Sequence, residues 1–307
     1  MSRHLDWHDD GADWPHRYRS RFVEAADLRW HVQSWGDLDG PDPTLVLLHG
    51  SGASSHSWFA LAPLLHEEGW SLLSMDLPGH AFTRVLEGTE LRLVLTLHGM
   101  AGAVRGLLDV LGVAPAGFVG HSAGAAVALE VARDGGPARG GGVVPVAGLC
   151  PALMAGRGLP EGPVPELVGG AFRSRFVAHL TSGLVRHTRG LDSVLDGTGS
   201  SVPEESRQCY RILSANSDHV NATLSLFTRW DPQAVQDGLS GHDGPVLLVT
   251  GSEDAWIAPS EVAQAAERLP RSLLVELPGL GHLAHEEAAE TVARHVLAFL
   301  ENEALDD

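Results

Sequence analysis

The sequence predicts an α/β protein with a mostly parallel central sheet, flanked by helices and interrupted by one inserted helical segment. Two observations lead to this prediction. Short, continuous apolar runs alternate with stretches of helical periodicity, as in proteins whose parallel strands are buried on both faces and joined by helical crossovers. The alternation stops between about residues 151 and 240, where no strong strand run occurs, and then resumes.

The predicted strands and helices follow one another in a regular order. The stretch at 21–36, RFVEAADLRWHVQSWG, has the pattern of two strands in a hairpin, so the sheet is predicted to be mixed. Six apolar runs then indicate buried strands, at 44–50, 70–76, 116–121, 142–149, 245–251 and 272–279. Helices are predicted between and after these runs, at 57–67, 96–111, 123–134, 259–268 and 287–302.

The interruption is predicted to be a helical lid. Helical periodicity recurs there in three stretches, at 173–188, 203–216 and 217–230. The Pro- and Gly-rich stretch at 156–170 has the composition of an entry linker. Because strands resume afterwards, we interpret 151–240 as a lid inserted into one core domain made of 1–150 and 241–307. An independent helical subdomain is the alternative interpretation.

Composition and charge exclude several functions. The chain has 307 residues, of which 44% are hydrophobic, and its formal net charge of −18 repels nucleic acid and anionic membrane surfaces. It contains no Lys, which excludes Schiff-base chemistry and a phosphate-binding P-loop. No apolar run is long enough for a transmembrane segment, and the first residues lack the apolar region of a secretory signal, so we expect none. Two distant Cys form no metal or disulfide pattern, so a cytoplasmic protein is expected.

A serine between two glycines is the first candidate catalytic residue. In GFVGHSAGAA, Ser122 ends an apolar strand run and opens an Ala-rich helix, with Gly120 and Gly124 on either side. This context is typical of a nucleophile elbow, where small neighbours allow a tight turn. The N–H groups that begin such a helix point to where an oxyanion would form. In a chain with 36 Gly, the alternative is a flexible turn.

A serine nucleophile needs a base and an acid. LPGLGHLAHEE places His282 on a loop after the last strand run, with His285 as the nearest rival. PVLLVTGSEDAWI places Asp254 directly after a buried strand, with Glu253 as the alternative acid. Serine, acid and histidine then follow the chain order expected for an elbow on such a sheet. Asp76 precedes the elbow, so we expect it to stabilise a turn.

Two backbone N–H groups are expected to form an oxyanion hole. One belongs to Ala123, which follows the nucleophile, and the other to Ser51, in the His-Gly-Ser-Gly loop after the first predicted parallel strand. Losing one such donor costs about 3–4 kcal/mol of transition-state stabilisation. No metal or cofactor is expected, because the order of His282, His285 and Glu286 does not match the H-E-x-x-H pattern of zinc proteases.

Longer motifs resemble one family in particular. DWPHR, SRFVEA, LRWHVQ, HGSGASSHSW, DLPGHAFT, GHSAGAA and LPGLGHLAHEE together resemble the BchO family, α/β-hydrolases of bacteriochlorophyll gene clusters that are also described as magnesium-chelatase accessory proteins. The likeness covers most of the chain and extends to DGTGS and HVNATLSLFTRW in the predicted lid. It implies the α/β-hydrolase fold, a triad of Ser122, Asp254 and His282, and a link to tetrapyrrole metabolism.

The predicted function is that of a carboxylesterase-like serine hydrolase that cleaves an apolar or amphipathic small-molecule ester through an acyl-enzyme. Two alternatives remain open: a C–C bond hydrolase with the same triad, and a non-catalytic accessory protein that binds magnesium chelatase. Arginines in the predicted lid could offset the negative field for an anionic tetrapyrrole, although solvated helix faces are the simpler interpretation. These are Arg173, Arg175, Arg186, Arg189, Arg207 and Arg211.

Overall fold

A central sheet dominates the computed structural model, which describes residues 4–88, 90–133, 143–154 and 188–303. The strands within these residues are β1 Ser20–Ala25, β2 Leu28–Trp35, β3 Thr44–Leu48, β4 Ser71–Met75, β5 Arg84–Val85, β6 Gly117–His121, β7 Val146–Leu149, β8 Val246–Gly251 and β9 Ser272–Leu277. They form one sheet in the order β1-β2-β4-β3-β6-β7-β8-β9, with β5 paired to β2.

The sheet is mixed, as the sequence predicts. β1 and β2 form an antiparallel hairpin that turns at Ala26 and Asp27, whose left-handed φ angles of 49° and 59° suit a two-residue turn. β2 pairs antiparallel with β4, whereas the pairs from β4 through β3, β6, β7 and β8 to β9 are parallel. β3, β4, β6, β7 and β8 are buried along their whole lengths, which explains their continuous apolar runs.

Helices cover both faces of this sheet. Those in the described residues are α1 Leu61–Glu67, α2 Leu91–Val94, α3 Leu97–Leu111, α4 Ala123–Arg133, α5 Thr188–Asp196, α6 Glu204–Ala215, α7 Ser217–Arg229, α8 Pro232–Leu239, α9 Pro259–Arg268, α10 Ala284–Glu287 and α11 Ala289–Glu303. Apolar side chains of α3, α4 and α9 belong to one core layer, and those of α1 and α11 belong to the other. In the described ranges, no helix has both the length and the apolar character needed to cross a membrane.

Helices α5 to α8 lie between β7 and β8, and we call them the inserted helices. The helices predicted at 203–216 and 217–230 are confirmed as α6 and α7. The predicted linker at 156–170 lies outside the described residues, as does all but the last residue of the helix predicted at 173–188. The inserted segment is therefore helical wherever a regular element is described within it.

A third hydrophobic cluster joins the N-terminal arm, residues 4–19, to the inserted helices. Leu5 and Trp14 of the arm belong to one buried cluster with Leu195 of α5 and Tyr210 of α6. Because full burial of a large apolar side chain stabilises a protein by about 1.5–3 kcal/mol, this cluster fastens the arm and the inserted helices to the core.

Candidate active site

Ser122 lies on a strained turn between β6 and α4. Its φ angle of 51° is left-handed, a conformation that costs a non-glycine residue about 1–3 kcal/mol. The turn is tight, because a Cβ atom at Gly120 would lie 2.5 Å from the Ala125 Cα atom. At Gly124 a Cβ atom would overlap the Leu48 carbonyl group. Packing therefore requires glycine on both sides of the serine, which favours an elbow over a flexible turn.

Asp254 and His282 form a buried hydrogen-bonded pair at the ends of neighbouring strands. The His282 Nδ1 atom lies 2.9 Å from Asp254 Oδ2, and their side chains are 2% and 0% exposed. The other carboxylate oxygen, Oδ1, accepts the N–H groups of Trp256 and Ile257 at 2.9 and 2.8 Å. Because a carboxylate only accepts hydrogen bonds, Nδ1 carries the ring proton and Nε2 is left as the basic nitrogen.

Ser122 and His282 line one cavity between the sheet and the inserted helices. Its volume is about 680 Å³, including its opening to solvent. Ser51 lines the same cavity from the loop after β3. Most of the remaining wall is apolar. Its apolar side chains include Leu191, Val194, Leu195, Val220, Trp256 and Leu283.

The alternative acid and base lie elsewhere. Glu253 is exposed, whereas Asp254 is buried against the histidine. His285 is fully buried and its Nε2 atom lies 2.8 Å from the Ser57 hydroxyl oxygen, so it bonds within the core. Burial, together with the neighbouring rings of His282 and His56, lowers the pKa of His285 to about 3. The structure thus brings Asp254 and His282 together and leaves Glu253 and His285 out of the pair.

The loop after β3 approaches the elbow closely. A Cβ atom at Gly50 would lie 2.6 Å from the His121 Nδ1 atom and 3.0 Å from the Ser122 Cβ atom, so a side chain here would force its neighbours to shift. The Ala53 N–H donates to the Gly50 carbonyl at 3.2 Å and closes a turn around Ser51 and Gly52. On the other side of the serine, Ala123 is the first residue of α4, so its N–H has no acceptor within the helix.

The DGTGS stretch of the insertion holds the acid and histidine loops together. The Thr198 carbonyl accepts the N–H of Ala255 at 3.3 Å and that of His282 at 3.1 Å. The Ser200 hydroxyl accepts the Leu283 N–H at 2.8 Å. No sequence pattern assigns these residues a role in the site. The available signal is the glycine-rich composition of the stretch, which permits close backbone approach.

A buried polar network ties α6 to the core behind the histidine. The Tyr210 hydroxyl donates to Glu286 Oε1 at 2.8 Å, and the Ser57 hydroxyl donates to the same oxygen. Burial raises the pKa of Glu286 above its ordinary value of 4.5, although the hydrogen bonds from Ser57 and Tyr210 oppose this rise. This network fastens an inserted helix beside the candidate site.

Asp76 has the turn-stabilising role that its position in the sequence predicts. Its Oδ1 atom accepts the Ser55 N–H at 2.8 Å, and its Oδ2 atom accepts the Phe82 N–H at 3.1 Å. The His31 Nδ1 atom lies 2.8 Å from the same Oδ2. Although burial opposes ionisation, the His31 ring and the hydrogen bonds hold the pKa of the Asp76 carboxyl well below its ordinary value. Asp76 therefore joins two loops beside the site.

Three side chains of the site also offer metal-binding atom types. The donor atoms of Cys150, Asp254 and His282 all lie within 4.8 Å of one another. However, the 2.9 Å between Asp254 and His282 is a hydrogen-bond distance, whereas two ligands on one tetrahedral zinc would stand about 3.4 Å apart. The Cys150 thiol also has a partner within the protein, because its Sγ atom donates to the Gly281 carbonyl oxygen at 3.6 Å. The geometry fits the hydrogen-bonded pair better.

Comparisons with known proteins identify the family to which this fold belongs. Residues 45–295 match the Alpha/beta hydrolase family, so the chain belongs to that family and the predicted fold class is confirmed. The chain is also 32% identical over 290 residues to the Magnesium-chelatase 30 kDa subunit of Rhodobacter capsulatus, a match that covers 94% of this chain and 97% of that protein. This similarity confirms the resemblance to the BchO family seen in the motifs.

Two further comparisons give another relative and a solved structure with the same fold. The chain is 30% identical over 299 residues to 2-hydroxy-6-oxononadienedioate/2-hydroxy-6-oxononatrienedioate hydrolase 2 of Pseudomonas putida, covering 92% of this chain and 96% of that protein. The solved structure of an esterase from Exiguobacterium antarcticum matches with a TM-score of 0.72 over 91% of this chain and 98% of its own. At 19% identity the esterase shows a shared fold alone.

Proposed function

We propose that this protein is a serine hydrolase that cleaves a carboxylic ester through an acyl-enzyme. Ser122 is the nucleophile, His282 the general base and Asp254 the partner of the base. The observation that carries the proposal is the buried 2.9 Å hydrogen bond between Asp254 and His282, because His282 also lines the cavity that contains the strained Ser122.

The proposed reaction has two halves. The Ser122 Oγ atom attacks the ester carbonyl carbon while His282 Nε2 takes the hydroxyl proton, and the C–O bond to the alcohol breaks as His282 returns that proton to the departing oxygen. A water molecule then gives its proton to the same nitrogen and attacks the acyl carbon. The carboxylic acid leaves and Ser122 regains its proton. Asp254 keeps the other proton on Nδ1 and stabilises the imidazolium.

The oxyanion of each tetrahedral intermediate is proposed to bind the backbone N–H groups of Ser51 and Ala123. Two observations support this assignment. The glycine at position 50 allows its loop to lie against the elbow, and Ala123 begins α4, where an N–H group is left for a ligand. Both groups are fixed by the backbone, so little reorganisation is needed when the negative charge develops.

The cavity wall favours an apolar or amphipathic substrate. Two of the arginines considered for binding anionic tetrapyrroles are paired with acids of the inserted helices. Arg207 contacts Asp192 and Asp196 at 3.2 and 2.6 Å, and Arg211 contacts Glu204 at 2.6 Å. The side chains of the other four arginines lie outside those that the structure describes. We therefore expect the acyl group, held among aliphatic side chains, to be neutral.

We also propose that the segment 151–240 acts as a lid on the core formed by 1–150 and 241–307. Residues of α5, α6 and α7 line the cavity that Ser122 and His282 line from the core. A lid that closes over an apolar site excludes water, which strengthens the interactions between the catalytic groups and the developing charge.

One relative favours a second candidate reaction. The Pseudomonas putida hydrolase is named for 6-oxo dicarboxylates rather than esters, so C–C bond hydrolysis by the same three residues is the alternative reaction.

The similarity to the Rhodobacter capsulatus subunit supports a link to magnesium chelatase or to tetrapyrroles. Titration with protoporphyrin tests that link, because a bound porphyrin changes its absorption spectrum. An unchanged spectrum at saturating protein would contradict porphyrin binding.

An ester series tests the main proposal. The purified protein is assayed with p-nitrophenyl esters of increasing acyl length, beside Ser122→Ala and the exposed control Ser201→Ala. We expect turnover to favour apolar acyl groups, to fall at least about 1,000-fold in Ser122→Ala, and to be unchanged in the control. Wild-type turnover in Ser122→Ala would contradict the proposal. Faster turnover of 2-hydroxy-6-oxo acids than of any ester would select the C–C reaction.

A further inference from the structure

His219, on the inserted helix α7, joins two loops of the core through its two ring nitrogens. Its Nδ1 atom accepts the Ala81 N–H at 3.0 Å, and its Nε2 atom lies 3.1 Å from the Gly52 carbonyl oxygen. Gly52 belongs to the turn that carries Ser51, and Ala81 belongs to the loop after β4. His219 is only 4% exposed, and it also lines the cavity that Ser122 lines from the core.

The two partners determine where the ring proton lies. The Ala81 N–H can only donate, so Nδ1 is unprotonated and the proton sits on Nε2, which donates it to the Gly52 carbonyl. Burial, with the nearby His80 ring, holds the pKa of His219 well below its ordinary value of 6.5. The ring is therefore neutral, with one donor and one acceptor, and each is matched by one backbone group.

Helix α7 begins where it can present this ring. The Asn216 side chain caps the helix by accepting the N–H groups of Asp218 and His219 at 3.1 and 3.0 Å. One turn later the helix packs tightly on the loop after β4, because a Cβ atom at Gly79 would lie 2.8 Å from the Ala222 Cβ atom. The cap and this close contact fix the height and the rotation of His219 over the two loops.

The turn around Ser51 is held from two different parts of the chain. From the core, the His49 ring and the Ala53 N–H both bind the Gly50 carbonyl, at 2.8 and 3.2 Å. From the inserted helices, His219 binds the carbonyl of Gly52, a residue with a φ angle of 78° and no side chain of its own to pack. One end of the turn therefore depends on α7.

We propose that His219 is a positioning residue that completes the oxyanion hole from the lid. By holding the Gly52 carbonyl it orients the turn that carries the Ser51 N–H, so the hole is fully formed only when α7 is packed on the two loops. This inference rests on the proposed function. It adds that the inserted helices contribute to catalysis as well as to substrate binding.

Three substitutions separate the two hydrogen bonds of the ring. His219→Gln places an amide N–H near the position of Nε2 and keeps a donor for Gly52. His219→Asn places its oxygen near the position of Nδ1 and keeps only an acceptor for Ala81. His219→Phe keeps a ring of similar size and loses both bonds. The matched control is Asp231→Ala, which removes the side-chain cap of α8 and destabilises the inserted helices away from the turn.

Two readouts test the role of His219. The first is hydrogen exchange of the amides at 50–53, which we expect to be faster in His219→Phe and His219→Asn than in His219→Gln or the control. The second is ester hydrolysis. We expect kcat to fall about 10- to 100-fold in His219→Phe and His219→Asn, as when reacting groups are misplaced by about 1 Å. The KM should change by less than about threefold, and His219→Gln should regain most of kcat.

Each outcome decides the proposal. Unchanged exchange at 50–53 in His219→Phe would overturn it, as would a kcat loss no larger than that of the Asp231→Ala control. A change confined to KM would assign the ring to substrate contact instead. Failure of the proposed function is distinguishable, because it would appear as unchanged hydrolysis in Ser122→Ala. The exchange measurement would still show whether His219 holds the turn.

Discussion

Replacing Asp254 by Asn should move the ring proton of His282 from Nδ1 to Nε2. The reason lies in the hydrogen bonds of the two carboxylate oxygens. Oδ1 accepts two backbone N–H groups, from Trp256 and Ile257, and only an oxygen can accept them. In Asp254→Asn the amide oxygen therefore stays in that place, and the amide NH₂ faces the His282 Nδ1 atom. Since an NH₂ group donates, Nδ1 must become the acceptor, and the ring proton moves to Nε2.

In the proposed mechanism, this change removes the base without removing the His282 side chain. With the proton on Nε2, His282 cannot take the proton of Ser122, and the imidazolium loses the negative charge 2.9 Å away. A change of this kind in a Ser-His-Asp triad lowers kcat by about 10⁴, which corresponds to about 5.5 kcal/mol of transition-state stabilisation. The backbone bonds to Oδ1 are kept, so thermal stability should change little.

The assay is hydrolysis of the best p-nitrophenyl ester at pH 7.5, with thermal unfolding of the same samples. Glu253→Gln is the matched control, because it neutralises the neighbouring, exposed acid. We expect kcat to fall about 10⁴-fold in Asp254→Asn and to change by less than about twofold in Glu253→Gln. A loss below tenfold in Asp254→Asn, or an equal loss in Glu253→Gln, would refute this reasoning.

Three further results are expected. Gly124→Ala places a Cβ atom against the Leu48 carbonyl, so thermal unfolding should show destabilisation by about 1–3 kcal/mol, and an unchanged melting temperature would contradict the elbow packing. Because burial raises the pKa of Glu286 above 4.5, the wild type should lose stability relative to Glu286→Gln as pH rises through that raised pKa. The urea midpoints of the two proteins are compared at pH 4.5 and pH 8, and an equal difference between them at both pH values would count against this expectation. As pH falls from 6.5 towards 3, each histidine that is buried in its neutral form should lower the free energy of unfolding by up to about 1.4 kcal/mol per pH unit, and a flat urea midpoint over that range would exclude the effect. Among these histidines are His49, His56 and His285, with pKa values of about 3, and His219, whose pKa burial holds well below 6.5.

The tight turn at Ser122 and the pairing of Asp254 with His282 could be predicted because each of these residues follows a strand that the sequence marks clearly. Ser122 ends a buried run between two glycines, and Asp254 and His282 lie on the loops that follow two later runs. Parallel strands bring their carboxyl ends to one edge of the sheet, so residues far apart in sequence become neighbours. For the acid, the structure pairs Asp254 with the histidine and leaves Glu253 exposed.

The contributions of the inserted helices could not be predicted in the same way. His219 is one of 17 histidines, and its bonds to Gly52 and Ala81 depend on how α7 packs across the core. Thr198 acts through its backbone carbonyl, which carries no sequence signal. Helical periodicity identifies the helices of an insertion, but it does not say which face covers which loop, because that depends on tertiary packing.

Covalent labelling tests the central claim, that Ser122 is an activated nucleophile, most directly. The folded protein is treated with a fluorophosphonate probe, and the modified peptide is identified by mass spectrometry, with His282→Ala and urea-unfolded protein alongside. The account predicts one adduct, on Ser122, formed rapidly in the wild type and lost in both comparison samples. Folded wild-type protein that stays unlabelled, or an adduct on another serine, would contradict it.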